Sequence, residues 1–245
     1  GDVYKRQAKD FHNQSVNPPV VRASTIIFKS MQDIKKTQNK YLKDPVSGNF
    51  DYGRQGTSTT YALQQILRKI EECYKVYLTP TGFGAIFLGV LSVVKPDDEI
   101  LVTDSVYSPS RLLTETYLKK FNIRAIFYNP NDFNDLKSKI TKKTKLIFVE
   151  NPGSNTFEFQ DLSKIVALAK KNKIYTAIDN TWGTPYFLKP IKLGFDMSIV
   201  SATKYYSGHS DVMGGSLAIS KRVFKLVEQT SKVSGLRLGP DDAYL

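Results

Sequence analysis

Asp196-Met197-Ser198-Ile199-Val200-Ser201-Ala202-Thr203-Lys204-Tyr205-Tyr206-Ser207-Gly208-His209-Ser210-Asp211 is a short apolar run that delivers one lysine into a cluster of hydroxyls and a glycine. An apolar segment of this length, bounded by turn residues, predicts a buried strand followed by a loop. A lysine at the mouth of such a strand is costly to bury unless it is paired, neutral or covalently used. Desolvation lowers an amine's pKa towards the range in which it acts as a nucleophile, so Lys204 is expected to be desolvated and chemically used. Against that stands a solvated loop lysine, the ordinary reading for any one of 35 Lys and Arg residues. The residues upstream decide between them.

Working outward, strands and helices alternate. Val76–Leu78, Ile100–Thr103, Ile123–Tyr128, Leu146–Val149, Ile174–Ile178, Met197–Val200 and Gly215–Ile219 read as strands. Helices are expected from Ala62 to Cys73, where apolar residues recur at helical spacing, and then over Gly84–Val94, Ser108–Phe121, Asp132–Ile140, Asp161–Lys171 and from about Lys221. Residues 32–42 read as a short polar helix, and 17–25 as an extended arm held out of helix by Pro18 and Pro19. Short all-apolar strands alternating with helices predict an α/β fold of three αβα layers around a mostly parallel, seven-stranded sheet. Residues 1–50 are assigned to the arm and short helix, with 1–7 read as an artefact of sequence assembly, and 51–245 to one large domain. The helix that opens at Pro240 stops at Leu245, and the chain is read as a fragment.

Composition narrows the function. A net charge of +12 invites a nucleic-acid reading, but the lysines are scattered and only 8 of the 35 basic residues are Arg, so no phosphate-reading surface is expected. The longest apolar run, Ala85–Val94, is half of what a bilayer span requires, so no membrane segment is expected. One cysteine, Cys73, and two histidines, His12 and His209, form no metal-ligand spacing. A lone cysteine and the absence of a secretory signal point to the cytoplasm.

Ligands of open α/β sheets gather at the carboxyl ends of the strands. After Leu78 comes Thr79-Pro80-Thr81-Gly82-Phe83-Gly84-Ala85, a glycine-bearing turn opening a helix whose first N–H groups suit phosphate. After Val102, Tyr107 places an aromatic ring at the same edge. After Ile178 stands Asp179, a semi-buried carboxylate that needs a cationic partner. Lys204 is flanked by the hydroxyls of Ser201 and Thr203. Phosphate cradle, aromatic plate, buried carboxylate and amine together are the set that holds pyridoxal 5'-phosphate. Lys204 would form the Schiff base and Asp179 would keep the pyridine nitrogen protonated. Tyr107 would stack on the ring, and Gly82, Phe83, Ser201 and Thr203 would hold the phosphate.

The lysine segment, with Asn17-Pro18-Pro19, Tyr52-Gly53-Arg54-Gln55-Gly56, Thr81-Gly82-Phe83-Gly84-Ala85 and Asp104-Ser105-Val106-Tyr107, resembles the Cys/Met-metabolism family of pyridoxal-phosphate enzymes, the cystathionine synthases and lyases of fold type I. The likeness runs from about residue 14 to the end. It implies the large domain of an aspartate-aminotransferase-like fold, with the small C-terminal domain and its substrate-carboxylate arginine absent. It also implies a homo-oligomer, a dimer of dimers, in which Tyr52 and Arg54 reach the cofactor phosphate of a neighbouring subunit. Lys204 and Tyr107 are the implied catalytic residues. Tyr206 departs from the family pattern, which has an aliphatic residue or Phe there. Glu150-Asn151-Pro152-Gly153-Ser154-Asn155-Thr156-Phe157-Glu158 is most similar to the cystathionine β-lyase branch. That branch implies β-elimination of cystathionine, a sulfur amino acid, to homocysteine, pyruvate and ammonia. The alternatives are cystathionine γ-synthase, cystathionine γ-lyase or methionine γ-lyase chemistry, or an inactive fragment.

Overall fold

The computed structural model describes residues 17–48 and 50–245, so residues 1–7 and His12 lie outside what is described here. Seven strands form one sheet in the spatial order β1-β7-β6-β5-β4-β2-β3. They are β1 (Lys75–Thr79), β2 (Glu99–Thr103), β3 (Arg124–Tyr128), β4 (Thr144–Glu150), β5 (Tyr175–Asp179), β6 (Met197–Val200) and β7 (Gly215–Ile219). Only β7 runs against its neighbours, pairing antiparallel with both β1 and β6. The six remaining strands therefore point the same way, and their carboxyl ends share one edge. The expected three-layer α/β architecture with a mostly parallel sheet is what the chain adopts.

Both faces of the sheet are covered, which is why its strands read as unbroken apolar runs. On one face lies α3 (Gly82–Val93), packed through Ala85, Leu88 and Val90 against Ala177, Met197, Ile199 and Leu217. The other face carries α2 (Ser58–Glu71) over Val76, Leu78 and Ala218, and α6 (Leu162–Lys171) over Ile147, Val149 and Ile178. The first helix, α1 (Met31–Lys43), buries none of its residues, in keeping with its polar sequence. Residues 17–25 contain no helix, and Thr25 forms an isolated antiparallel bridge with Tyr52. Thr59 clamps this arm to the start of α2, its Oγ1 donating to Pro19 O at 2.7 Å and accepting from Val21 N at 2.8 Å.

The segment expected as one helix over Ser108–Phe121 changes character along its length. It opens as α4 (Ser108–Leu112), passes through a π-turn over Leu113–Tyr117 and tightens to 3₁₀ geometry over Leu118–Phe121. The hydroxyls of Thr114 and Thr116 donate to Arg111 O and Leu112 O at 2.8 and 2.6 Å. Back-bonding of this kind competes with the helical N–H groups for the same carbonyls. After α5 (Phe133–Ser138) and α6, two short helices escape the sequence pattern: α7 (Thr184–Phe187) and α8 (Pro190–Leu193). Each is a single turn, too short to show a 3.6-residue period. The chain then passes β6 and β7 and ends in α9 (Phe224–Ser234) and α10 (Pro240–Tyr244).

Ile199 is fully buried on β6 under α3, one residue before the strand gives way to the lysine turn. Replacing it by Ala removes three carbons from a packed interior. Urea unfolding of Ile199→Ala is expected to show a loss of about 3 kcal/mol, as for other large-to-small core changes.

Candidate functional site

The edge where the parallel strands end is held together by a continuous series of contacts. The turn after β1 enters α3 through Thr81, whose Oγ1 caps the helix by accepting Gly84 N at 2.9 Å. The N–H groups of Gly82 and Phe83 precede any i−4 carbonyl and point out of the helix start. Gly82 is pressed against the turn that follows β6: a Cβ built on it would stand 2.6 Å from Ser201 Cβ and Oγ. Only a glycine permits that approach. Ser201 N in turn donates to Thr181 Oγ1 at 2.9 Å, and Thr181 N donates to Asp179 Oδ1 at 3.0 Å. Asp179 lies beside Glu150 in the β4–β5 register, and Glu150 Oε2 accepts Tyr107 N at 2.6 Å. These contacts bring Gly82, Ser201, Asp179 and Tyr107 together along one edge of the sheet.

Lys204 sits in a tight turn just beyond. Lys204 N donates to Ser201 O at 3.1 Å, Ser207 N to Ala202 O at 3.1 Å and Gly208 N to Lys204 O at 2.9 Å. Gly208 closes the turn at φ +72°, a conformation in which a Cβ would be strained. The lysine itself is exposed, which corrects the expectation that its amine is desolvated by the chain. The strand beneath is buried, but the turn carries Lys204 past the sheet edge into the open. Thr203 is also used differently from expectation. Its Oγ1 donates to Gly214 O at 3.2 Å and accepts Gly214 N at 3.0 Å, so its one proton is directed to the backbone of the chain.

Electrostatics set this edge apart from an ordinary loop cluster. Burial pushes the Asp179 carboxyl up from its usual range, against the two donors of Thr181. Glu150 is pushed up by burial and next by the neighbouring Asp179 charge, opposed by the Tyr107 N–H. Among the described residues neither carboxyl forms an ion pair, although the chain carries twelve more basic than acidic residues. Glu150 was not singled out from the sequence as a site residue. The rule that found Asp179 would also have found it, since it ends the apolar run Leu146–Val149 at the same edge.

Three exposed aromatics line the rim: Phe157 meets Trp182 at 5.2 Å between ring centroids, and Trp182 meets Tyr205 at 6.1 Å. Tyr107 is 45% exposed, its ring open to a flat partner. Tyr52 and Arg54 are not drawn into this cluster. Tyr52 bridges Thr25 of the arm, and Arg54 donates to Lys232 O at 3.0 Å. Among the described residues no cluster of His, Cys, Asp and Glu could hold a metal ion, and no helix is long and apolar enough to cross a membrane.

These features fit pyridoxal phosphate. Two raised carboxyls beside each other lack a cation, which a protonated pyridine nitrogen would supply. The helix start against Ser201 offers backbone donors to a phosphate, Tyr107 is exposed beside Glu150, and Lys204 is exposed on the turn that follows Ser201.

Comparison with known proteins agrees. A family model described as Cys/Met metabolism PLP-dependent enzyme matches residues 2–245. A putative cystathionine β-lyase of Rhizobium johnstonii is 36% identical over 235 residues, covering 96% of this chain and 57% of the relative. Cystathionine β-lyase of Haemophilus influenzae is 34% identical over 244 residues, covering 99% and 61%. The crystal structure of cystathionine γ-synthase from Xanthomonas oryzae in complex with cystathionine superposes with a TM-score of 0.87 at 28% identity, over 99% of this chain and 59% of that one. The chain thus spans about three-fifths of the length of these relatives. Matched along nearly its whole length by the family model and by relatives more than 30% identical, the chain belongs to the Cys/Met-metabolism family of pyridoxal-phosphate-dependent enzymes.

Proposed function

We propose that this chain carries the cofactor-binding part of a carbon–sulfur lyase that cleaves cystathionine at Cβ–S, releasing homocysteine, with pyruvate and ammonia formed from the remaining three-carbon fragment by addition of one water. The observation that carries it is the unpaired Glu150–Asp179 carboxyl pair facing the Gly82–Ser201 contact and the Lys204 turn. When bound, pyridoxal phosphate supplies a protonated ring that accepts electron density from the substrate Cα. Asp179, with Glu150 behind it, would keep a proton on the ring nitrogen. The N–H groups of Gly82 and Phe83 and the Ser201 hydroxyl would hold the phosphate, while Thr203 braces the turn through Gly214. Tyr107 would cover the ring face, its backbone fixed by the bond to Glu150.

Lys204 Nζ would hold the cofactor and, when free, would take the proton from the substrate Cα. The same amine then returns a proton to the sulfur as the Cβ–S bond breaks, with Tyr107 Oη assisting at the substrate amine. One mobile, exposed amine on a fixed turn suits both transfers. The choice of cystathionine rests on the named β-lyase relatives and on Pro152-Gly153-Ser154. The γ-synthase neighbour marks γ-replacement as the competing reading. Tyr52 and Arg54, held on the arm side of the chain, are assigned to the cofactor phosphate of a second copy in a homo-oligomer.

Two measurements check this reading. Purified protein mixed with pyridoxal phosphate is expected to develop a visible absorbance band that borohydride traps on the peptide carrying Lys204. Lys204→Ala should lose both the trapped peptide and pyruvate release from cystathionine. A wild-type protein with no band, or with the label spread over many lysines, would refute the assignment. The second concerns pH. The native carboxyl pair binds more protons than the unfolded chain, so stability of the cofactor-free protein falls as pH rises above the ordinary carboxylate range of about 4. Glu150→Gln should remove on the order of 2 kcal/mol of that fall between about pH 5 and 8, read from urea unfolding at each pH. Unchanged slopes would contradict the pairing.

A further inference from the structure

On the sheet face away from α3, the last residue of α2 is a fully buried acid. Glu71 has no solvent exposure and lies beneath β6 and β7. The hydroxyls of Ser198 on β6 and Ser216 on β7 are buried on this same face, and Glu71 Oε2 has no hydrogen-bond partner among the described residues. Its other oxygen, Oε1, accepts the Tyr206 hydroxyl at 3.3 Å. Tyr206 stands in the lysine segment itself, two residues after Lys204. Its ring packs against the small core of Leu67, Val76, Leu78 and Ala218, a site that Phe would fill equally well. The hydroxyl adds the bond to Glu71, with the buried Ser216 hydroxyl beside it.

That bond has a mechanical consequence. Tyr206 belongs to the turn whose internal hydrogen bonds run Lys204 N to Ser201 O, Ser207 N to Ala202 O and Gly208 N to Lys204 O. Lys204 projects into the open on one side of this turn, and Tyr206 reaches back into the core on the other. We propose that Glu71 and Tyr206 are a positioning pair for Lys204, the buried carboxyl fixing through the Tyr206 hydroxyl the turn that presents the amine at the sheet edge. The tie is read from the chain's own contacts and rests on the proposed function only for what Lys204 then does. Burial pushes the Glu71 carboxyl up to about 7, opposed by Ser198, Tyr206 and the charge of Lys189, with Cys73 close by. Lys189 is itself paired with the adjacent Glu72. The acceptor that Tyr206 finds is therefore a carboxyl of near-neutral affinity for protons, not a permanently paired one.

The test compares wild type, Tyr206→Phe and Glu71→Gln by two readouts. The first is hydrogen–deuterium exchange of peptides covering 201–208, which requires no cofactor. The second is borohydride-trapped labelling by pyridoxal phosphate, given as the ratio of Lys204 to the exposed Lys171 on α6. Tyr206→Phe keeps the ring and the core packing. It should speed exchange across 201–208 by about threefold to tenfold, the factor one hydrogen bond is worth, and lower the labelling ratio to match. Peptides of β2 and β4 should exchange as in wild type. Glu71→Gln keeps an acceptor oxygen for Tyr206 and should stay within about twofold of wild type. Exchange in Tyr206→Phe equal to wild type, or a rise spread over the whole sheet, would overturn the positioning role. A wild-type Lys204 labelled no better than Lys171 would instead overturn the assignment of Lys204, while the exchange data still decide the tie.

Discussion

Two acids side by side at the end of a parallel sheet are the constraint on which this structure turns. Glu150 and Asp179 occupy matched positions on β4 and β5, so the register that buries Phe148 and Ile178 also brings the carboxyls together. Neither can move away without slipping the pairing, and a one-residue slip would turn every side chain to the wrong face. The cost of desolvating them is met by strand pairing and core packing elsewhere in the sheet. What remains at the edge is a pair of raised carboxyls with a few backbone and hydroxyl donors. Such a pair has a standing demand for a cation.

The rest of the edge is arranged around that demand. Gly82 lets the start of α3 touch Ser201, and Ser201 is tied through Thr181 to Asp179. Tyr107 is tied to Glu150 by its backbone. Anion-binding and cation-binding ends are therefore fixed relative to one another by a few short contacts. Polar groups on rigid elements keep their geometry without a ligand, which limits what must be reorganised on binding.

Lys204 is built on a different plan. It stands exposed on a hydrogen-bonded turn, free to swing, while Tyr206 anchors the same turn to Glu71 in the interior. An amine that must first hold a cofactor and later move protons needs reach, and the turn beneath it needs stiffness. Thr203 contributes by bonding Gly214, the residue just before β7, which closes the turn from its other side.

The strand count, the alternation with helices, and Gly82, Tyr107, Asp179, Ser201 and Lys204 as neighbours could all be read from the order of residues. The reason is physical: apolar runs mark buried strands, and parallel strands place whatever follows them at one edge. The same residue set pointed to the cofactor, and the likeness of the lysine segment added the family. Other features depend on residues far apart in the chain and leave no local trace. The exposure of Lys204, the capture of the Thr203 proton by Gly214 and the contact of Tyr206 with Glu71 belong here, the last spanning 135 positions. Glu150 lies between the two cases. Its place at a strand end is legible, but its partnership with Asp179 exists only once β4 and β5 are paired. Local sequence thus determined which groups reach the edge, and the tertiary structure decided which of them are desolvated, because burial is a property of neighbours and not of the residue itself.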